Sequence, residues 1–299
     1  MQQNCRVSKD IALTLINDID PANVDLILIQ EPYIYPNTNL SIASPKWCAI
    51  YPLGRPTCAR PPHSLILVST NIDLSVIQQI PLLSNCVTAI TFTPVPGVDP
   101  VHLFNIYNPP NSDEALTDLS NWLEGAPDHR CSIWAGDFNK HHPMWSRHTV
   151  PERCSRSNTE MLIQLLLQND MLLRLPQGML TYQSDSHGTW STLDLVFSTQ
   201  DIAGLIPSCY AGLNEWLPGA DHFPIYFTIN TQVKRSPPTA RLNFKDIDWS
   251  DYRSTLKTNI TTRQLHAYPP PSSPQALDTF VDNLTTAIQL TTASIIPKA

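Results

Sequence analysis

The chain has 299 residues with 42% hydrophobic content, enough for a large mixed domain with a real core plus an extension. Its net charge of −7 excludes binding of nucleic acid by bulk electrostatics, so any polyanionic partner would need a local basic surface. No apolar run approaches the roughly 18 residues of a membrane span, and 28 prolines against 9 glycines point to many rigid loops. The 7 cysteines form no Cys-x-x-Cys pair and the first residues are polar, which suits a reduced, intracellular compartment.

Taken in chain order, Val7, Ile11, Ala12, Leu15, Ile16 and Ile19 recur at helical spacing, with Asn4 and Ser8 just ahead as candidate caps. An apolar strand over 24–29 follows and leads directly to Glu31. Further strands are expected near 47–51, 64–69, 86–93, 101–107, 131–135, 179–183, 193–198 and 224–229. Helices are expected from Asp113 to Glu124, and after Asn158 through Met161, Leu162, Leu165 and Leu166. Strands mixed with helices in this order predict an α/β (α+β) fold, a four-layer sandwich of two packed mixed β-sheets flanked by helices. A boundary falls near 231: residues 1–230 form the main domain, and 231–299 a Pro-rich linker followed by a C-terminal helical extension.

The chemistry concentrates at strand ends. In Ile133-Trp134-Ala135-Gly136-Asp137-Phe138-Asn139-Lys140 an apolar strand breaks at Gly136 and presents Asp137 and Asn139 on one face. Ala220-Asp221-His222-Phe223-Pro224 sets an acid and an imidazole just before another strand. Asp194 lies within Leu193-Asp194-Leu195-Val196-Phe197, a strand that should be buried. A buried carboxylate needs a partner, and His222 is the natural candidate. Carboxylates, amides and an imidazole together suit a hard cation and phosphate-ester cleavage. Around them run Arg130, Lys140, Arg147, Arg153 and Arg156, a plausible phosphate-tracking loop. A zinc site built from His141, His142 and His148 fits the ligand-spacing rules badly.

As a set, Gln3-Asn4-Cys5, Gln30-Glu31-Pro32-Tyr33-Ile34, Asn105-Ile106-Tyr107-Asn108-Pro109-Pro110, Gly136 to Trp145, Gly188 to Phe197 and Ala220 to Ile225 resemble the endonuclease/exonuclease/phosphatase superfamily. The resemblance is closest to the endonuclease domain of non-LTR retrotransposons and covers residues 1 to about 230. It implies a magnesium-dependent (or manganese-dependent) nuclease that nicks double-stranded DNA, leaving a 3′-hydroxyl from which a linked reverse transcriptase primes; an active enzyme would work in the nucleus. It implies Asn4, Glu31 and Asp221 as metal residues, and Asp137, Asn139, Asp194, His222 and Tyr107 as catalytic ones. Lys140, Arg147, Arg153 and Thr192 are the candidate DNA contacts. No membrane and no small-molecule cofactor are implied. The family's asparagine three residues beyond Tyr107 is replaced by Pro110, leaving Asn108 or Asn111 to serve. The family also has a full strand before Asn4, where only Met1, Gln2 and Gln3 stand, so a frayed start and a fragment of a longer reading frame are expected. Other readings are an abasic-site repair endonuclease, a phosphoesterase for inositol phosphates or sphingolipids, and an impaired copy that only binds nucleic acid.

Overall fold

Side-chain alternation decides how the first unit assembles. In the computed structural model, which describes residues 1–54, 61–94, 97, 99–126, 130–146, 159–185, 188–232, 247–267 and 273–296, the chain divides into two units, Met1–Ser236 and Pro237–Ala299. Strand β2 (Leu26–Gln30) points Ile27 and Ile29 to one face and Leu28 and Gln30 to the other. It sits inside a 6-stranded sheet with β1 (Gln2–Asn4), β3 (Trp47–Ile50), β4 (Ser64–Ser69), β13 (Ser208–Ala211) and β14 (Ile225–Thr228), in the order β13-β14-β1-β2-β4-β3. A second 6-stranded sheet has the order β5-β6-β7-β8-β12-β9, from β5 (Ile77–Gln79), β6 (Val87–Phe92), β7 (Val101–Tyr107), β8 (Ser132–Asp137), β9 (Met171–Leu173) and β12 (Asp194–Thr199). Both sheets are mixed: β1–β2 and β7–β8 are parallel pairs among antiparallel ones.

The sheets pack face to face through Leu28, Ile66 and Val68 on one side and Ile90, Leu103, Ile133 and Val196 on the other. Their outer faces are covered by helices. Ile11, Leu15 and Ile16 of α1 (Lys9–Asp18) cover Ile27, Ile29, Leu65 and Leu67. Helices α2 (Glu114–Gly125) and α3 (Glu160–Gln168) bring Leu116, Leu119, Leu162 and Leu165 onto Phe104, Trp134 and Phe197. Each fully buried side chain of this kind contributes about 1.5–3 kcal/mol. The four layers expected from the sequence are therefore present: helix, sheet, sheet, helices.

Local readings changed in three places. Gly136 does not end its strand; β8 continues to Asp137, and Gly136 is paired between Ile106 and Leu195. Its φ of +148° and a position where a Cβ would meet the Ile106 carbonyl oxygen at 1.9 Å explain why no side chain stands there. Val7 is exposed and lies before α1, whose cap is Ser8 accepting from the Ile11 N–H. The strand expected over 179–183 shrinks to β10 (Tyr182–Gln183), paired with β11 (Trp190–Ser191) and bridged at Tyr182 to His222. Asn158 and the segments 233–246 and 268–272, where a cap, the linker and the connector were expected, lie outside the described residues.

In the second unit, α4 (Trp249–Thr262) is capped by Asp248 and α5 (Pro274–Ile295) by Ser273 with Pro274 in its first turn. The two helices are joined by Asn259 donating to the Thr291 hydroxyl at 2.9 Å and by a Tyr252–Thr292 hydroxyl contact of 3.2 Å. No helix among the described residues is long and apolar enough to cross a membrane.

Candidate active site at the strand ends

Register places the polar residues in rows. Tyr107, Asp137 and Asp194 are direct partners across β7, β8 and β12. On the facing sheet Asn4, Gln30 and Ser64 are direct partners across β1, β2 and β4. Directly paired residues share a face, so both rows look into the space between the sheets, where the apolar layer gives way to polar groups. The rows meet: the Asn4 amide donates to the Asp137 Oδ2 at 3.0 Å, and the Ser64 and Thr88 hydroxyls lie 2.8 Å apart.

Asp137, Asp194 and His222 carry atoms that all lie within 4.8 Å of one another, and all three are buried. The His222 Nδ1 is 2.7 Å from the Asp194 Oδ2, and its Nε2 faces the Asp137 Oδ2 at 3.9 Å. Burial, followed by the Asp194 charge, pushes the Asp137 carboxyl up to about 7, against the smaller opposing effect of His222. Burial acts to lower the His222 imidazole, but Asp194 outweighs it by charge and hydrogen bond, and the ring rises to about 9. A protonated imidazole thus stands beside a carboxyl poised near neutrality.

The remaining expected residues distribute as follows. Glu31, at φ 46°, turns sharply out of β2 and accepts the Tyr107 hydroxyl at 2.7 Å. Burial and then Glu31 raise the Tyr107 phenol, which keeps its proton, and His63 stacks on its ring at 5.7 Å. Asn4 is not frayed: it is buried, its Oδ1 accepts the Arg6 N–H at 2.8 Å, and β1 is paired on both sides. Asn139 spends its amide on the Asn108 carbonyl (3.0 Å) and the Asp137 Oδ2 (3.1 Å), so it braces Asp137. Asn108 ties the Ser112 and Phe138 carbonyls and shapes the loop. Asp221 is buried; its Oδ2 lies 3.5 Å from the Arg6 Nε, and its Oδ1 has no hydrogen-bond partner. A buried carboxylate oxygen without a hydrogen-bond partner fits a hard divalent cation, which takes oxygen ligands, and the clustered Asp137, Asp194 and His222 atoms could also hold one.

Two expected DNA contacts fail on burial. Lys140 is 1% exposed and its ammonium pairs with Asp113 at 2.6 Å, because the chain turns inward after β8. Thr192 is buried with its hydroxyl donating to the Met179 carbonyl at 2.6 Å. Arg147 and Arg153 lie outside the described residues. Sequence reasoning passed over Arg6, whose guanidinium reaches both Asp185 and Asp221 at the mouth of the site, and Gln2, Gln30 and Asn105 beneath it.

Residues 101–226 match a family model described as endonuclease-reverse transcriptase, a span that holds Tyr107, Asp137, Asn139, Asp194, Asp221 and His222. Among solved structures, the endonuclease domain of TRAS1, a telomere-specific non-LTR retrotransposon, superposes with a TM-score of 0.60 at 19% identity, covering 77% of this chain and 97% of that one. The first unit shares the fold of that domain. An AP endonuclease from Leishmania major shares it (TM-score 0.59, 14% identity, 79% and 87% covered). So does a 3′-5′ exonuclease from Neisseria meningitidis (TM-score 0.56, 14% identity, 77% and 98% covered). No curated protein matches the sequence. The shared fold explains why the site sits where it does: the strand ends of both sheets meet there.

Proposed function

We propose that the chain is a metal-dependent phosphodiester hydrolase that nicks double-stranded DNA, working beside a reverse transcriptase in a retrotransposon-type element. The observation that carries the reading is the buried Asp137–Asp194–His222 group, whose ligand atoms all lie within 4.8 Å of one another. The match to an endonuclease-reverse transcriptase model over 101–226 supports the nuclease class and the polymerase context. Glu31, Asp221 and the Asn4 amide oxygen are the residues that would hold Mg2+ or Mn2+, and the bound ion would supply Lewis-acid charge at the phosphate.

Asp137, braced by Asn4 and Asn139 and poised near 7, orients the attacking water and takes its proton. His222, charged and held by Asp194, offers its Nε2 proton to a phosphoryl oxygen as negative charge builds. Tyr107 donates a hydrogen bond to Glu31, fixing that carboxylate at the strand end. Arg6, partly exposed at the mouth, is the described cation placed to meet a neighbouring backbone phosphate. Residues 1–230 form the catalytic domain in this reading and 231–299 the connector, with action in the nucleus.

A second reading, cleavage at abasic sites, is favoured by the likeness to the AP endonuclease fold. Supercoiled plasmid and a duplex with one abasic site, each incubated with the protein and magnesium, separate the two. Plasmid nicking comparable with abasic cleavage supports the retrotransposon-type reading; cleavage confined to the abasic duplex replaces it with repair.

A further inference from the structure

We infer that Gln2, Gln30 and Asn105 form a one-directional amide relay between the sheets, and that Gln2 is the positioning residue that holds Asp194 for His222. The inference rests on the reading of Asp194 and His222 as reaction groups.

The direction follows from atoms that can play one role only. The Asn105 Nδ2 lies 2.9 Å from the Ile29 carbonyl and 2.8 Å from the Leu65 carbonyl. Carbonyl oxygens only accept, so this end of the Asn105 amide is its donor and the Oδ1 is its acceptor. The Oδ1 takes a hydrogen bond from the Gln30 Nε2, which also reaches the Leu28 carbonyl at 3.5 Å. The Gln30 Oε1 therefore accepts, and it does so from the Gln2 Nε2 at 2.6 Å. The second proton of that same amide nitrogen goes to the Asp194 Oδ1 at 2.8 Å. Asp194 thus receives a fixed donor on Oδ1 and offers Oδ2 to the His222 Nδ1. The Nδ1 keeps its proton, and Nε2 is left as the ring nitrogen facing Asp137.

Gln2 is held through its donor nitrogen alone. Its Oε1 is buried with no hydrogen-bond partner. Turning the amide over would set that oxygen against the Gln30 Oε1 and the Asp194 carboxylate, two acceptors, so the relay and the carboxylate together hold it. Every member is fully buried: Gln2, Gln30, Asn105 and Asp194 are all 0% exposed. Four polar side chains at the centre of an apolar layer, connected from backbone carbonyls to one carboxylate oxygen, act as an outer shell for the Asp194–His222 pair.

The test uses Gln2→Met, which keeps length and removes the donor, and Gln30→Met, which leaves every atom touching Asp194 in place. Two quantities are measured on the full chain: the kcat and KM of plasmid nicking in magnesium, and the downfield proton resonance of the His222 Nδ1–H, assigned by its loss in His222→Asn. Gln2→Met is expected to lower kcat about 10–100-fold with KM unchanged, and to shift or broaden the resonance. Gln30→Met should move both in the same direction by less. A Gln2→Met protein with wild-type kcat and an unmoved resonance overturns the relay. If Gln2→Met does not fold, an unmoved resonance in Gln30→Met overturns it instead. A wild-type protein without nicking activity would defeat the nuclease reading, while the resonance would still decide the relay.

Discussion

At the scale of single residues, burial sets what each substitution will do. Asp137 and His222 sit inside the sandwich, at 1% and 5% exposed, so alanine would leave unpaired polar neighbours, and near-isosteric changes are the cleaner probes. Asp137→Asn and His222→Asn should each cost about 10²–10⁴ in nicking rate while circular dichroism stays native. Glu31→Gln should raise the magnesium concentration for half-maximal nicking, since one carboxylate charge is lost while the Tyr107 contact remains possible; an unchanged titration would make Glu31 an ordinary strand-end charge. Proton linkage has a definite sign. Asp137 rises from 3.8 to about 7, so its contribution is full below 3.8 and lost by about 7. His222 rises from 6.5 to about 9, so its contribution is full below 6.5 and lost through about 9. Both groups bind protons more tightly when folded, and the urea midpoint of metal-free protein should fall between pH 6.5 and 9. A flat midpoint over that window would contradict the buried pairing.

At the scale of elements, strands of five or more residues were legible, as were the four-residue β3 and β14, whereas β5, β9, β11 and β13 were not. The six residues of β4 are apolar and bounded by turn residues, so the stretch 64–69 shows its limits directly. Strands β9, β11 and β13 run two to four residues with mixed polarity and exist because a neighbour supplies the ladder. The inward amides were missed for a related reason. Gln30 ends an apolar run and Asn105 interrupts one, and only strand pairing reveals that they face each other across the sheets. Asp194 was readable because an acid within a buried strand demands a partner, whereas the turn that hides Lys140 has no signature in composition. Gly136 was legible as special but not as a mid-strand contact. Gly136→Ala places a Cβ 1.9 Å from the Ile106 carbonyl oxygen and should cost about 4 kcal/mol or more in urea unfolding. A loss below about 1 kcal/mol would show that β7 and β8 can separate there.

At the scale of the whole molecule, every residue given a role in cleavage belongs to Met1–Ser236, and helices α4 and α5 belong to the other unit. A chain ending at residue 236 should therefore melt cooperatively and nick plasmid at the rate of the full chain. An unfolded truncation would make the helical unit part of the catalytic fold. The charge balance of −7 also takes its meaning at this scale. An acidic chain holds DNA through few contacts, so binding should show a shallow dependence on salt, with Arg6→Ala reducing the slope and Lys140→Met, whose ammonium points inward, leaving it unchanged. The most direct test of metal-dependent cleavage is conversion of supercoiled plasmid to open circle by the wild-type chain at pH 7, in magnesium and in EDTA, beside Asp137→Asn. Nicking that requires magnesium and is lost in the variant is the predicted result. Nicking that persists in EDTA, or that Asp137→Asn retains at the wild-type rate, would contradict it.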